Sequence, residues 1–240
     1  MAILQLFGQG TFIVASLVLG TRLLLLWRRT KEVPELTIGL AFLVGGGIGY
    51  LAWFAMAIAA MKGAGPGTLH AITSAGLGLS CVGALFNGVG VARIFRPGTR
   101  WPVAFLLAIG AVMAGGWGVH LGKEALGSSS FWVAMLACAP VYAWAGIEAY
   151  GLARTLGKRA RIGLADPVVV NRLNQWSASS AAVVLMIAVS FVSRLLYGPL
   201  LPPWVSFANA VLGLVAATTI WLGFFPPRAL VRRLTEAYAS

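Results

Sequence analysis

The feature that most constrains this chain is a succession of long apolar segments separated by short polar turns. Each segment reaches or exceeds the roughly 20 residues that an α-helix needs to cross the hydrocarbon core of a bilayer. We predict seven spanning helices, at residues 4–27, 36–60, 68–95, 102–122, 131–156, 168–197 and 204–225. The sequence thus predicts an all-α integral membrane protein, a bundle of seven transmembrane helices at 1–227 followed by a basic tail at 228–240.

Composition excludes a water-soluble fold. Hydrophobic residues make up 59% of the 240 residues and charged residues only 10%, whereas soluble domains are about 25% charged. Lys and Arg outnumber Asp and Glu by 18 to 6, but the basic residues lie between apolar runs and do not form one solvated face. We therefore expect no nucleic-acid partner and interpret the charge as a signal of membrane topology.

Basic residues are distributed unevenly between the two alternating sets of connections. The odd-numbered connections and the tail hold fourteen: Arg28, Arg29, Lys31, Arg93, Arg96, Arg100, Arg154, Lys158, Arg159, Arg161, Arg172, Arg228, Arg232 and Arg233. The even-numbered connections hold three: Lys62, Lys123 and Arg194. Because cytoplasmic loops retain positive charge, we predict an N-terminus outside and a C-terminus in the cytoplasm. The excess of Arg over Lys, 14 to 4, together with abundant Ala, Gly, Leu and Val, is typical of a GC-rich bacterial genome. We therefore expect a bacterial inner membrane as the location.

The tail combines apolar and basic positions along a helical repeat. Its apolar residues are Leu230, Val231 and Leu234, and its basic residues are Arg228, Arg232 and Arg233. This pattern predicts an amphipathic helix that lies on the inner leaflet and contacts anionic lipids.

Polar residues at membrane depth are costly, so they are the strongest functional leads in such a chain. Glu148 is the one acidic residue placed deep within a predicted span. The topology places further polar side chains at similar depth, which predicts one polar layer: Arg22, Asn87, Asn171, Asn174, Gln175, Thr218 and Thr219. Asn171, Asn174 and Gln175 share a helical face, which we expect to point at Glu148.

Two interpretations of this layer stay open. In the functional one, it forms a cytoplasm-facing pocket or a proton-coupled site, with Glu148 as the carboxylate and Trp144 and Trp176 as aromatic walls. In the structural one, Glu148 pairs with Arg22 or with amides and holds helices together, as interhelical polar bonds commonly do.

Histidines and cysteines are few. His70 and His120 lie near the outer ends of the third and fourth predicted helices and could approach each other, as an imidazole pair binding metal or haem would require. No other typical ligand is near them in the pattern, so we expect histidines bonded to water or backbone and predict no metal site. Cys81 and Cys138 lie within apolar runs, where buried free thiols are expected. The sequence names no cofactor.

Catalytic and cofactor signatures point away from several functions. The seven-helix layout resembles that of rhodopsin-like proteins, but residues 204–225 contain no lysine, so a retinal Schiff base of the microbial type is excluded on this topology. No cluster of histidines, acids, or serine with a base is visible, so we expect no enzyme.

We therefore expect a membrane protein that binds a small amphiphile or hydrophobic cofactor, or senses the bilayer, and acts through a membrane-protein partner or a second copy of itself. The first alternative is an accessory or assembly subunit of a larger membrane complex. The second is a small-solute or proton-coupled transporter.

Overall fold

The computed structural model describes residues 2–122, 128–198 and 202–239, with side chains from residue 9 to residue 237 within those ranges. The described chain is helical throughout, apart from short connections. The helices are α1 (Ala2–Thr30), α2 (Val33–Leu40), α3 (Tyr50–Met61), α4 (Pro66–Phe95), α5 (Trp101–Leu121), α6 (Ser129–Ala160), α7 (Pro167–Tyr197), α8 (Pro203–Phe224) and α9 (Arg228–Ala239). A π-helical segment, Ala41–Gly49, joins α2 to α3.

Seven stretches of helix within the described residues are long and apolar enough to cross a membrane, which confirms the seven predicted spans. The helices α2 and α3 and the π-helical segment between them make up one of these, Val33–Met61, which is called the second span below. Several helices run past the predicted limits. The span predicted at 131–156 is part of α6, whose last turn includes Lys158 and Arg159. These residues are too polar for a hydropathy window, but they favour helix.

Helix starts follow from local sequence signals. Pro66, Pro167 and Pro203 lie in the first turns of α4, α7 and α8, where a missing N–H removes no intrahelical bond. Asp166 caps α7, since its carboxylate accepts a hydrogen bond of 2.8 Å from the backbone N–H of Val168. Short connections then return the chain, so neighbouring spans run antiparallel.

Alternate connections consequently lie at the same end of the bundle. One end holds the connections at 31–32, 96–100, 161–166 and 225–227, and because of its many Arg and Lys side chains we call it the basic end. The other, called the opposite end, holds the connection at 62–65 and the starts of α6 and α8.

Six of the seven spans form a closed ring. Neighbours around it are α1, the second span, α4, α6, α7 and α8, and α8 packs back against α1. α5 packs against α4 and α6 from outside this ring. No extensive contact within the described ranges crosses the ring from α4 to α7 or α8. The interior of the ring is therefore not filled by a seventh helix.

The wall made by α1, the second span and α4 is packed backbone against backbone. A Cβ built on Gly83 would lie 2.5 Å from the Cα of Gly45, well inside the van der Waals separation of two carbon atoms. A Cβ on Gly46 would lie 2.5 Å from the Oγ of Ser16. Glycine is thus required for the approach of these helices.

The π-helical segment departs from the predicted pattern. The apolar run predicts an uninterrupted α-helix over 36–60, whereas nine residues, Ala41–Gly49, adopt the wider π turn. Hydropathy reports the length of a span and not its pitch. Stretches of π-helix are frequent at functional sites.

On the other side of α4, its contacts with α5 and α6 build an apolar core. Leu77, Ala84 and Val141 are completely buried there. The thiols of Cys81 and Cys138 are free and buried in the same core, with their sulfur atoms 3.9 Å apart.

The tail forms α9, which contacts α7 at the basic end. The three apolar residues of the tail are half-buried, and its three arginines are exposed. Arg232 and Glu236 form an exposed ion pair one turn apart, with 3.8 Å between Nε and Oε1.

Candidate functional site

The interior of the ring holds a cavity of about 680 Å³. Its lining comes from all six helices of the ring, and no described residue of α5 contributes to it. The volume lies within the range of sites that bind small molecules. The cavity is thus a direct consequence of the position of α5 outside the ring.

The shape of the cavity follows from the face that α7 turns toward it. That face carries Trp176, Ser180, Val183, Ile187 and Arg194. The intervals between them are four, three, four and seven residues, which place them on one side of a helix. The rise from residue 176 to residue 194 is about 27 Å. Dividing the volume by this length gives a mean cross-section of about 25 Å², so the cavity is several times longer than it is wide.

The middle of the cavity is lined by large apolar and aromatic side chains. Tyr50 and Trp53 come from α3, Met135 and Tyr142 from α6, and Met186 from α7. Methionine adapts its shape to irregular apolar partners. This stretch of wall is therefore suited to an apolar group without a fixed outline.

Four polar atoms of lining residues have no hydrogen-bond partner within the described part of the chain. They are Thr73 Oγ1, Asn87 Nδ2, Trp132 Nε1 and Asn209 Oδ1. A buried polar atom without a partner costs about 1–3 kcal/mol, and native proteins rarely leave one unsatisfied. The atoms are themselves buried in the wall, so a molecule inside the cavity would reach them only after their side chains rotate.

The polar lining is concentrated toward the opposite end. Gln9, Ser190, Arg194 and Asn209 line the cavity there, and Asn209 Nδ2 donates a hydrogen bond of 2.9 Å to Ser190 Oγ. Toward the basic end the lining includes Asn87 but is otherwise mainly apolar and aromatic. The cavity therefore has a polar end and a long apolar body.

Glu148 does not line this cavity. Its Oε1 accepts a hydrogen bond from Arg96 Nε at 2.7 Å and another from Trp144 Nε1 at 3.0 Å. Trp144 packs against the rings of Trp101 and Phe105, with centroids 5.1 and 5.5 Å away. This arrangement, the Glu148 clamp, ties the end of α4 to α6 and α5. Its carboxylate is 14% exposed and has two donors.

The structure brings only part of the predicted polar layer to the cavity, namely Asn87 and Trp176. Arg22 is exposed, and its guanidinium carbon lies 4.5 Å from the ring centre of Phe225. The partner of Glu148 is Arg96. Arg96 follows α4 at the basic end, from where its long side chain reaches back to the carboxylate.

The other predicted members lie on α7 and α8, away from the cavity lining. Asn174 and Thr218 are exposed. Gln175 donates a hydrogen bond of 3.4 Å to Asn171. Thr219 donates to a carbonyl of its own helix, that of Val215 at 2.8 Å. These side chains form separate local contacts and not one layer.

The two histidines are brought together, with 4.8 Å between ring centroids. His120 is completely buried and His70 is half-buried. Within the described residues, no group of three or more His, Cys, Asp or Glu side chains could hold a metal ion.

Residues that the sequence analysis missed are Arg96 in the clamp and Thr73, Trp132 and Asn209 on the cavity wall. The spacing of aromatic, hydroxyl and charged residues along α7 is a signal that could have found this wall. This signal is weak in a membrane span, because the side of the helix that faces lipid is apolar too and differs little from the side that faces the cavity.

Comparison of the chain with protein-family models, curated proteins and solved structures finds no match. Its function is therefore inferred from its own geometry.

Proposed function

We propose that this protein is a non-catalytic membrane protein that binds one single-chain amphiphile or elongated hydrophobic cofactor inside the six-helix ring. The observation that carries the proposal is the cavity of about 680 Å³, whose mainly apolar wall ends in the polar side chains of Gln9, Ser190, Arg194 and Asn209. An empty apolar cavity needs no polar lining, whereas a site for a specific molecule places a few polar groups in an apolar wall.

The shape and chemistry of the wall favour a particular class of occupant. A cavity that extends for about 27 Å along α7 can hold an extended chain along its full length. The headgroup of such a molecule would lie near Arg194 and Asn209. The charge of Arg194 favours an anionic group, and the unpaired Oδ1 of Asn209 favours a hydrogen-bond donor such as a hydroxyl. The tail of the molecule would extend past Met186 and Tyr142 toward Trp176.

We infer that the basic end faces the cytoplasm, because the odd-numbered connections of the sequence and its tail hold fourteen Lys and Arg residues and the even-numbered connections hold three. In a bacterial inner membrane, the headgroup of the amphiphile would then lie near the outer leaflet. The exposed arginines of α9 would contact anionic lipids of the inner leaflet or a partner protein.

The proposal is tested with a substitution on α7 that places a large side chain inside the cavity. Val183→Trp adds an indole where the ring is open, and Val192→Trp makes the same change on the exposed side of the same helix. Both variants and the wild type are released from nanodiscs formed directly from the producing membranes and weighed by native mass spectrometry. We expect one extra small-molecule mass per chain in the wild type and in Val192→Trp, and its loss in Val183→Trp.

A bare wild-type chain, or an extra mass that Val183→Trp retains at full occupancy, would contradict the proposal. Gel filtration and thermal unfolding establish that each variant is folded. If Val183→Trp does not fold, Ser190→Phe fills the polar end of the same cavity and carries the same expectation.

A second candidate function, a subunit of a larger membrane complex, is favoured by the outer face of α5. Ala111, Gly115 and Gly118 are exposed on that face at helical spacing, and no atom lies within 4 Å of a Cβ built on either glycine. Small residues spaced in this way allow another helix to approach closely.

This candidate is tested by Gly115→Leu, with Gly151→Leu on α6 as the matched control, because Gly151 is also exposed with open space around it. If α5 binds a partner or a second copy of the chain, Gly115→Leu removes the co-purifying protein in mild detergent and Gly151→Leu does not. A wild-type chain that purifies alone eliminates this candidate.

A further inference from the structure

The two histidines of the chain, 50 positions apart in sequence, meet at the opposite end of the bundle. His70 lies in the second turn of α4, and His120 is the penultimate residue of α5. Both are separate from the cavity, since neither belongs to its lining. The meeting of two imidazoles from different helices is independent of the proposed amphiphile.

Each ring has one nitrogen engaged and one without a partner. His120 Nδ1 shares a hydrogen bond of 3.2 Å with Ser128 Oγ, which in turn is 2.8 Å from Ser130 Oγ. His70 Nε2 shares one of 3.5 Å with Ser74 Oγ. The remaining nitrogens, His70 Nδ1 and His120 Nε2, are buried and have no partner among the described residues.

This is the bonding pattern of metal-bound histidine. A ligating imidazole usually donates its second N–H to an oxygen nearby, which fixes the ring and directs the lone pair of the other nitrogen at the ion. When both serines accept, two lone pairs remain, and they cannot hydrogen-bond to each other. A cation satisfies both at once.

The separation of the rings decides the kind of site. Two imidazoles on opposite sides of one ion, as in bis-histidine haem, have centroids about 6 Å apart. Two imidazoles at the tetrahedral angle around Zn²⁺ have centroids about 5 Å apart. The observed 4.8 Å, with ring planes inclined by 53°, matches the second arrangement.

The position of the pair also favours a cation. The last carbonyl groups of α5 lie beside His120, and the C-terminal end of a helix carries partial negative charge. His70 is half-buried, so part of its ring is accessible from outside the bundle, whereas His120 is completely buried. We propose that His70 and His120 bind one divalent transition-metal ion of the zinc class, with water in the remaining coordination positions.

The test uses Zn²⁺ alone and full-length protein purified with an affinity tag that contains no histidine. Titration against a competing chelator measures stoichiometry and affinity for the wild type, His70→Phe and His120→Phe. We expect one Zn²⁺ per wild-type chain and at least a tenfold loss of affinity in each variant. Ser128→Ala, which removes the partner of His120 Nδ1, should lower the affinity about tenfold.

The matched control is the double variant Cys81→Ala/Cys138→Ala, which removes the chain's other strong zinc-binding side chains and should leave the affinity unchanged. X-ray absorption at the zinc edge adds a readout that a structural role would not move, since it counts the imidazoles bound to the ion. Two imidazoles in the wild type support the site. No bound Zn²⁺, fewer than two imidazoles, or unchanged affinity in both histidine variants overturns it.

Discussion

The Glu148 clamp and the cavity are both polar features within an apolar bundle, and they differ in how their polar atoms are satisfied. In the clamp, one carboxylate oxygen accepts bonds from Arg96 at 2.7 Å and from Trp144 at 3.0 Å. Among the residues that line the cavity, by contrast, Thr73 Oγ1, Asn87 Nδ2 and Asn209 Oδ1 have no hydrogen-bond partner within the described residues. The charged carboxylate thus has its hydrogen-bond donors within the protein, and these three neutral groups each have an atom without a partner.

We infer from this difference that a polar atom without a hydrogen-bond partner is a better lead to a functional site than a charge alone. An ionisable residue at membrane depth is a functional lead because its burial is costly, but a partner on a neighbouring helix removes that cost. An unpaired hydroxyl or amide on a cavity wall keeps its cost, and the protein gains from it only when a ligand or water completes the bond.

The largest expected effect comes from a substitution that disrupts the packing of the ring itself. In Gly83→Val, the Cβ would lie 2.5 Å from the Cα of Gly45. The second span and α4 would therefore have to move apart. We expect the free energy of unfolding to fall by about 3 kcal/mol or more, with loss of any bound molecule. Thermal unfolding followed by tryptophan fluorescence measures it, and Gly151→Val, which has open space, is the control. A stable Gly83→Val would contradict the backbone contact.

Thr73→Val separates binding from stability. The substitution keeps the shape of the side chain and removes a buried hydroxyl without a partner, so the fold loses no hydrogen bond. We expect about a tenfold fall in affinity for the bound molecule, equivalent to about 1.4 kcal/mol, with no loss of thermal stability. Thr219→Val, away from the cavity, is the control. A variant that is less stable and fully occupied would reverse our interpretation of Thr73.

Glu148→Leu should give the opposite pattern. It removes the acceptor of Arg96 and Trp144, and we expect the free energy of unfolding to fall by about 1–2 kcal/mol, between the values for exposed and buried ion pairs. Occupancy of the cavity should stay at the wild-type level. A double-mutant cycle with Arg96→Leu isolates the pair from other effects of each change. Loss of the bound molecule in Glu148→Leu would instead indicate that Glu148 contributes to binding.

The smallest effect is expected at the other Arg–Glu pair found among the described residues. Arg232 and Glu236 are 78% and 69% exposed on α9, and such pairs contribute little to stability. Glu236→Gln should change the free energy of unfolding by less than about 0.5 kcal/mol. An effect as large as that of Glu148→Leu would show that the burial of the clamp is not what makes it stabilising.

The seven spans could be predicted because apolar length is a property of each segment alone. The position of α5 outside the ring could not, since every span is apolar on all sides and the helical repeat carries little contrast. The π-helical segment was also beyond the hydropathy pattern. Its glycines indicate close approach, but the atoms they approach, such as Ser16, belong to other helices.

The site shows the same limit. Glu148 and Asn87 stand out in the sequence because polar residues are rare there, and their depth along the span follows from position. Which of them has a partner depends on the rotation of each helix, and this is set by packing. Arg96 could not be foreseen as the partner of Glu148, because it lies in a connection and reaches its acceptor only by extending back along the bundle.

We propose that the ring holds an elongated amphiphile, and a density map of the protein tests this most directly. The protein would be imaged in nanodiscs formed from its own membranes, with a bound antibody fragment as a fiducial. We expect one continuous elongated density inside the ring, from Trp176 to Arg194, with its head within hydrogen-bond distance of Asn209. A collapsed interior, or isolated water peaks at the unpaired polar atoms, would contradict it.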